Sequence, residues 1–288
     1  MLTVPPAFAE ATVVREGDAG STWIGELPAL VEEFLERWSC TVSGPPAHGS
    51  VGVVLPVVRA DGSDAVLKLS FPLAVNAAEP VVLTAWNGDG AARLLDRADD
   101  RYAMLLERLS PLGDEVPDPF TAVGRLARRL AVPAPPGLPS LAERALQWVD
   151  EVPAHAARLG NPLGRKVVDA AVANAREMAA DDPAVLVHGD LHFGNLLRRD
   201  GDLTAVDPNG FVGDPAYDFL PLLRGEWYAR PPDVERAIAE FADAAEVDRE
   251  RVRRWAQARA AESALWSRDL GEPSWVTDVV DAIAGDLA

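Results

Sequence analysis

Asp190 is followed five residues later by Asn195, and Asp207 stands twelve further on, at the end of the apolar run LTAVD. A carboxylate that can orient a hydroxyl and accept its proton, accompanied by two hard oxygen donors suited to magnesium, is the equipment of phosphoryl transfer. That reaction also needs a fixed positive charge for the phosphates. The chain holds 25 arginines and only two lysines, Lys68 and Lys166. Lys68 lies late in the apolar run AVLKLSF, where a half-buried strand usually carries a neutral residue, and a compact ammonium there suits a phosphate-facing point charge. The competing reading is a lysine on the solvated face of an alternating strand. Lys166, in GRKVVDA on an expected helix, reads as a surface residue.

These residues must be positioned by elements, and the pattern of elements changes near residue 110. Apolar Leu27, Leu30, Val31, Phe34, Leu35 and Trp38 recur at helical spacing. VGVVLPVVRA, the turn DGSD and AVLKLSF then read as an antiparallel hairpin. A helical interval through Trp86 follows, and GAARLLDRADDRYAMLLERL reads as two further strands around RADDR. SPLGDEVPDP is a connecting segment by composition. Beyond it, residues 119–180 and 232–285 are mostly helical, with the Pro-rich VPAPPGLP as a rigid loop between two helices. Within Val185–Phe219, NLL and LTAVD read as short strands joined by RRDGD. The acids thus fall at the ends of apolar runs, where a rigid scaffold commonly displays reactive groups. A small sheet-rich part, residues 1–109, precedes a larger helical part, residues 110–288.

Composition limits the partners. The hydrophobic fraction of 48% and charged fraction of 25% are those of a globular protein, and the net charge of −18 argues against nucleic acid, which requires a basic footprint. Acids gathered in a cleft would favour a cationic ligand. No apolar run approaches the roughly 20 residues that span a bilayer, MLTVPPAFAEA lacks the basic n-region of a signal peptide, and a single cysteine, Cys40, cannot form an internal disulfide. A cytoplasmic protein without a membrane partner is the expectation. The oligomeric state is not legible.

HGDLHFGN followed by VDPNGFVGDPAYD resembles the signature of the aminoglycoside phosphotransferases, and GDGAARLL, AMLLERL and SALWSRDLGEP resemble the streptomycin kinase and hydroxyurea phosphotransferase branch. The likeness runs from about residue 20 onward. It implies an α+β, bilobal protein-kinase-like fold: a nucleotide-binding lobe over residues 1–109 and a catalytic and substrate-binding lobe over 110–288. It also implies ATP, with GTP not distinguished, and Mg2+. By the resemblance Asp190 is the base, Asn195 and Asp207 bind the metal, and Lys68 holds phosphates and pairs with Glu79. Glu79 has a second reading, since Asn76-Ala-Ala-Glu79 before Pro80 fits a capping box. Ser50, in PPAHGSVGVV, would sit in the phosphate loop, and the backbone from Glu107 to Leu109 beside the base of the nucleotide. His188 would brace the loop. Asp214 and Asp218 would fasten it to the next helix and shape the substrate end of the site, Asp214 as a substrate contact; an N-cap with local hydrogen bonds to backbone amides is the alternative for both.

The resemblance makes the acceptor a hydroxylated small molecule, an aminoglycoside of the streptomycin type, with Glu226, Glu262, Asp269 and Glu272 as candidates for its cationic groups. A cellular sugar or amino sugar such as glucosamine is the alternative acceptor. No activation segment follows VDPNG, which speaks against a protein substrate. A different chemistry is also conceivable on paper: His188, Asp190 and His192 alternate, so in an extended segment they would share a face and could bind a hydrolytic metal.

Overall fold

The computed structural model describes residues 3–113, 116–229 and 231–288. The first two letters of MLTVPPAFAEA, Asp114 and Glu115 of the connecting segment, and Arg230 lie outside the described residues. The chain divides into two compact units, Met1–Ser110 and Pro111–Ala288.

The first unit comprises α1 (Pro6–Arg37), β1 (Cys40–Val42), β2 (Ala47–His48), β3 (Gly52–Arg59), β4 (Asp64–Ser70), α2 (Glu79–Trp86), β5 (Leu94–Ala98) and β6 (Ala103–Glu107). Its antiparallel sheet has the order β1-β3-β4-β6-β5, with β2 also paired to β3. Pro6 opens α1, where its missing N–H costs nothing. Gly17 breaks the helix at φ 62°, ψ −134°, a conformation open to glycine alone at little cost. The segment before the break folds back so closely that a Cβ on Gly20 would lie 2.7 Å from the Thr12 carbonyl oxygen. Leu27, Val31 and Phe34 of α1 cover one face of the sheet, against Leu55, Ala65, Leu67 and Leu69. Because side chains alternate along a strand, Lys68 projects from the opposite face of β4.

The second unit comprises α3 (Pro119–Leu130), α4 (Leu141–Arg158), α5 (Arg165–Ala180), β7 (Val185–Val187), β8 (Leu196–Arg199), β9 (Asp202–Ala205), β10 (Phe211–Gly213), α6 (Phe219–Ala229), α7 (Val234–Ala245), α8 (Arg249–Asp269) and α9 (Ser274–Asp286). β7 pairs with β10, and β8 with β9, both antiparallel. The Pro-rich segment is more than a spacer. Val132 O accepts from Leu186 N and Pro139 O from Val212 N, so it flanks the β7/β10 pair, and Ser140 then caps α4 through Glu143 N. Among the described residues no helix is long and apolar enough to cross a membrane.

Helix α3 crosses α7 at Gly124, where an added Cβ would lie 2.7 Å from Phe241 O and 2.9 Å from Ala244 Cβ. Two effects oppose each other in Gly124→Ala: helix propensity favours alanine by about 1 kcal/mol, whereas forcing a methyl against backbone costs roughly 1–3 kcal/mol. The crossing decides the sign, so a lower denaturation midpoint is expected. A midpoint at or above that of the parent would show that α3 and α7 separate without loss.

Candidate active site

Each unit carries one cluster of the residues singled out from the sequence. In the first, β4 holds Lys68 between Val54 and Met104, and the first residue of α2 brings Glu79 to it. Lys68 Nζ donates to both carboxylate oxygens of Glu79 at 2.7 Å, and the side chains are only 7% and 6% exposed. Asn76 does not cap α2; it lies in a short turn and donates to Phe71 O, so the capping-box geometry is absent. At such burial the attraction only offsets desolvation, which gives the pair an orienting role more than a stabilising one.

Ser50 is exposed in the turn between β2 and β3. Its carbonyl oxygen accepts from Arg15 of α1 at 2.9 Å, a tie that sequence spacing gave no means of finding. Glu107 ends β6 with its carboxylate accepting from Arg93 N, and its own N–H donates to Arg93 O. Leu109 follows just beyond the strand and is half-buried.

In the second unit, β7 runs straight into the HGDLHFGN loop. Two consecutive amides at the strand end, His188 N and Gly189 N, donate to Asp218 at 3.1 and 2.7 Å. Asp218 is 2% exposed, and burial pushes its carboxyl up to about 7 against the opposing charge of Arg259 and these two hydrogen bonds. Gly189 adopts φ 88° with the Phe211 ring where a Cβ would stand, 2.6 Å away. Arg259 of α8 closes the arrangement: it donates to Gly189 O at 2.8 Å and to Tyr217 O at 3.0 Å, and its guanidinium stacks 3.9 Å from the Tyr217 ring centre.

His188 is fully buried. Nδ1 accepts from Asp190 N at 3.2 Å, and Nε2 lies 3.0 Å from Val206 O, so the neutral ring carries its proton on Nε2 and ties the loop to the end of β9. Burial holds its pKa down to about 4. With both nitrogens engaged, His188 cannot ligate a metal, and the His188–Asp190–His192 metal site conceivable from alternation is not formed. No group of three or more His, Cys, Asp or Glu side chains among the described residues could hold a metal ion.

Asp190 is half-buried at the loop's turn. Asn195 Nδ2 donates to Asp190 O at 2.9 Å and lies 3.4 Å from its Oδ2, and His192 Nε2 lies 3.4 Å from the same oxygen. Burial raises the Asp190 pKa, but His192, Arg259 and His188 outweigh it and hold the carboxyl at about 2. Asn195 O accepts from Val206 N, so Asn195 and Asp207 flank the same end of the β8/β9 hairpin. Asp207 is exposed and takes φ 57°, a conformation that costs a non-glycine residue energy and is concentrated at functional sites. An amide oxygen and a carboxylate are hard donors, and two of them suit a cation that keeps waters and binds phosphate oxygens besides.

Three of the expected substrate acids, Asp214, Glu262 and Asp269, have cationic partners within the protein. Asp214, for which substrate contact was one of two readings, is 1% exposed and fully engaged: Ala216 N donates to Oδ1 at 2.9 Å, while Arg251 Nε and Trp255 Nε1 donate to Oδ2 at 2.7 and 3.0 Å. At this burial it is a cap and anchor of the fold. Asp269 pairs with Arg158 and lies 2.6 Å from His155 Nε2, and Arg158 holds its pKa below the usual range. Counted along α8 it stands about 15 Å beyond Arg259. Glu272 is exposed past the end of that helix. Glu262, one turn from Arg259, pairs with Arg144 at 3.2 Å, and burial raises its pKa. Glu226 lines an open cleft with Phe193 of the loop and with Asp118 and Asp233.

Residues 37–271 match the model of the aminoglycoside/hydroxyurea antibiotic resistance kinases. The chain belongs to this family. The kinase is 35% identical to streptomycin 6-kinase of Streptomyces glaucescens, over 96% of each chain. It is 38% identical to hydroxyurea phosphotransferase of Kitasatospora aureofaciens, over 94% of this chain and 82% of the relative. A crystal structure of a thermostable mutant of the aminoglycoside phosphotransferase APH(4)-Ia aligns with 89% of the kinase and 99% of that chain, at a TM-score of 0.59 and 16% identity, which shows the protein-kinase-like fold. Family membership implies a nucleoside triphosphate and a divalent metal in general. Within the kinase, Arg251, Trp255 and Arg259 recur every four residues on one stripe of α8; that spacing was the available signal for the missed arginines, although it names none of their partners.

The protonation of His188 gives a measurable consequence. Its folded pKa of about 4 lies below the ordinary 6.5, so the unfolded chain takes up a proton first as pH falls. The contribution, up to about 3 kcal/mol, is present above 6.5 and lost as pH drops towards 4. Nitrogen NMR should find one of the four histidines, assigned through His188→Gln, neutral and Nε2-protonated at pH 5.5. A His188 that titrates near 6.5 would contradict the buried bracing role.

Proposed function

We propose that the chain transfers the γ-phosphoryl group of ATP to a hydroxyl of an aminoglycoside of the streptomycin type, phosphorylation that confers resistance to the antibiotic. Residues 1–109 act as the nucleotide-binding part and residues 110–288 as the catalytic and substrate-binding part. The observation that carries this reading is the Asp190 carboxylate, held on one oxygen and half-open to solvent on a loop whose backbone is locked by Asp218, His188 and Arg259, in a chain aligned along 96% of its length with a streptomycin 6-kinase.

Asp190 at a pKa of about 2 is ionised throughout the neutral range and is a weak base. It orients the acceptor hydroxyl and receives its proton as the new oxygen–phosphorus bond forms, rather than generating an alkoxide beforehand. Lys68, aimed by Glu79, holds the nucleotide phosphates. Asn195 and Asp207 hold Mg2+, which when bound neutralises phosphate charge. Ser50 and the Glu107–Leu109 backbone serve the phosphate loop and the nucleotide base. Asp214, Glu262 and Asp269 are engaged by their own cationic partners, so recognition of a cationic acceptor falls to Glu226 on its open cleft and to exposed Glu272. A second reading, with hydroxyurea as acceptor, is favoured by the 38% identity to a hydroxyurea phosphotransferase.

The test is nucleotide consumption with streptomycin, other aminoglycosides, hydroxyurea, glucosamine and neutral sugars, with mass spectrometry of the product. Streptomycin phosphate is expected, and turnover confined to hydroxyurea or to sugars would replace the proposed acceptor. Asp190→Ala should lower kcat by roughly 10²–10⁴ with nucleotide binding nearly intact. Unchanged turnover in that variant would remove Asp190 from the chemistry.

A further inference from the structure

His192 is the one group at the loop that the proposed reaction leaves without a task, and its surroundings are built around its ring. Gly194 N donates to His192 Nδ1 at 2.9 Å. A ring nitrogen that accepts an amide proton presents its lone pair, so the neutral imidazole must carry its own proton on Nε2. That nitrogen is 3.4 Å from Asp190 Oδ2. Gly194 makes room for the ring: an added Cβ would lie 2.7 Å from His192 Cε1 and 2.9 Å from Nδ1. The φ of Gly194 is not positive, so space rather than backbone conformation is what glycine supplies there.

The second donor near this carboxylate converges on the same atom. Asn195 Nδ2 is also 3.4 Å from Asp190 Oδ2, whereas no hydrogen bond among the described residues reaches Oδ1. A carboxylate approached on one oxygen by two donors from its own loop is biased in orientation, and its other oxygen is the one left for a ligand.

We infer that His192 is a positioning residue for phosphoryl transfer: its Nε2–H, fixed in that tautomer by Gly194, holds Oδ2 of Asp190 so that Oδ1 faces the acceptor hydroxyl. The inference rests on Asp190 being the base. In the step it serves, the acceptor oxygen bonds to the γ-phosphorus, the bond from that phosphorus to the leaving nucleoside diphosphate breaks, and the hydroxyl proton passes to Asp190 Oδ1. His192 keeps its own proton throughout. The separations of 3.4 Å are long for hydrogen bonds, and such contacts commonly shorten once substrates are bound.

The plainer role for His192 is capping the short turn Phe193–Asn195 through Nδ1, and two variants separate the roles. His192→Asn places an acceptor where Nδ1 stands and nothing at Nε2, so it preserves the cap and removes the grip on Asp190. His192→Gln reaches the Nε2 position with an N–H. Removal of a group that orients a reacting residue typically costs about 10–100-fold. His192→Asn is therefore expected to lower kcat about 10–100-fold with KM for both substrates little changed, and His192→Gln to stay within a few-fold of the parent. Equal activity of His192→Asn and the parent, or equal impairment of the two variants, would overturn the inference. Nitrogen NMR of the unmodified chain reads the tautomer even if a variant fails to fold: an Nε2-protonated His192 supports the inference and an Nδ1-protonated one defeats it. Asp190→Ala run in parallel keeps the two claims apart. If it retains full turnover, the base assignment itself fails; if it is inactive while His192→Asn is unimpaired, only the inference fails.

Discussion

The loop that bears Asp190 depends on one buried carboxylate. At the end of β7 two successive buried amides need acceptors, because unpaired buried amides are expensive. Asp218 satisfies both. Its own burial is then the cost, visible in the upward push on its pKa, and the positive charge of Arg259 opposes that push. Arg259 fits because a planar, forked donor can bond the carbonyls of Gly189 and Tyr217 while lying flat on a tyrosine ring. The orientation of Asp190 follows from this frame, since its own amide is fixed by a histidine whose proton is fixed by Val206.

The large acid excess of the chain takes on a different meaning once partners are known. A net charge of −18 suggests a surface for cations, yet several of the acids marked out by position serve the fold. Asp214 is enclosed by Arg251, Trp255 and the amide of Ala216. Asp269 is matched by Arg158 and His155, and Glu79 by Lys68. Glu226, on an open cleft beside Phe193, differs from these in facing space as well as protein. Charge composition therefore reports poorly on ligand charge here, because arginines from distant segments neutralise particular carboxylates.

Much of the architecture was legible because it is local. The β3/β4 and β8/β9 hairpins declare themselves by alternation broken at DGSD and RRDGD, and Lys68 stands out by rarity in an arginine-rich chain. The first half of α1 was not legible. Its prolines look like interruptions of an apolar segment, whereas Pro6 in fact opens the helix and Gly17 breaks it. Two readings of Glu79 were open, and only the fold of α2 against β4 chooses between a cap and an ion pair. The roles of Arg251 and Arg259 were hidden for a simpler reason: Asp214 lies 37 residues from Arg251, and Gly189 lies 70 residues from Arg259. Periodicity marks a face of a helix but carries no information about what that face meets.

The scarcity of lysine also has a practical side. Of the two side-chain amines, Lys68 is enclosed in its ion pair at 6% exposure, while Lys166 is exposed at the start of α5, where it donates to the Ala288 carbonyl oxygen. Amine-directed coupling to a dye or a sensor surface therefore meets a single accessible lysine side chain, on a helix that contributes none of the residues assigned to the reaction. A chain that relies on arginine for nearly all its positive charge thus offers amine chemistry few attachment points, one of them a lysine side chain on α5.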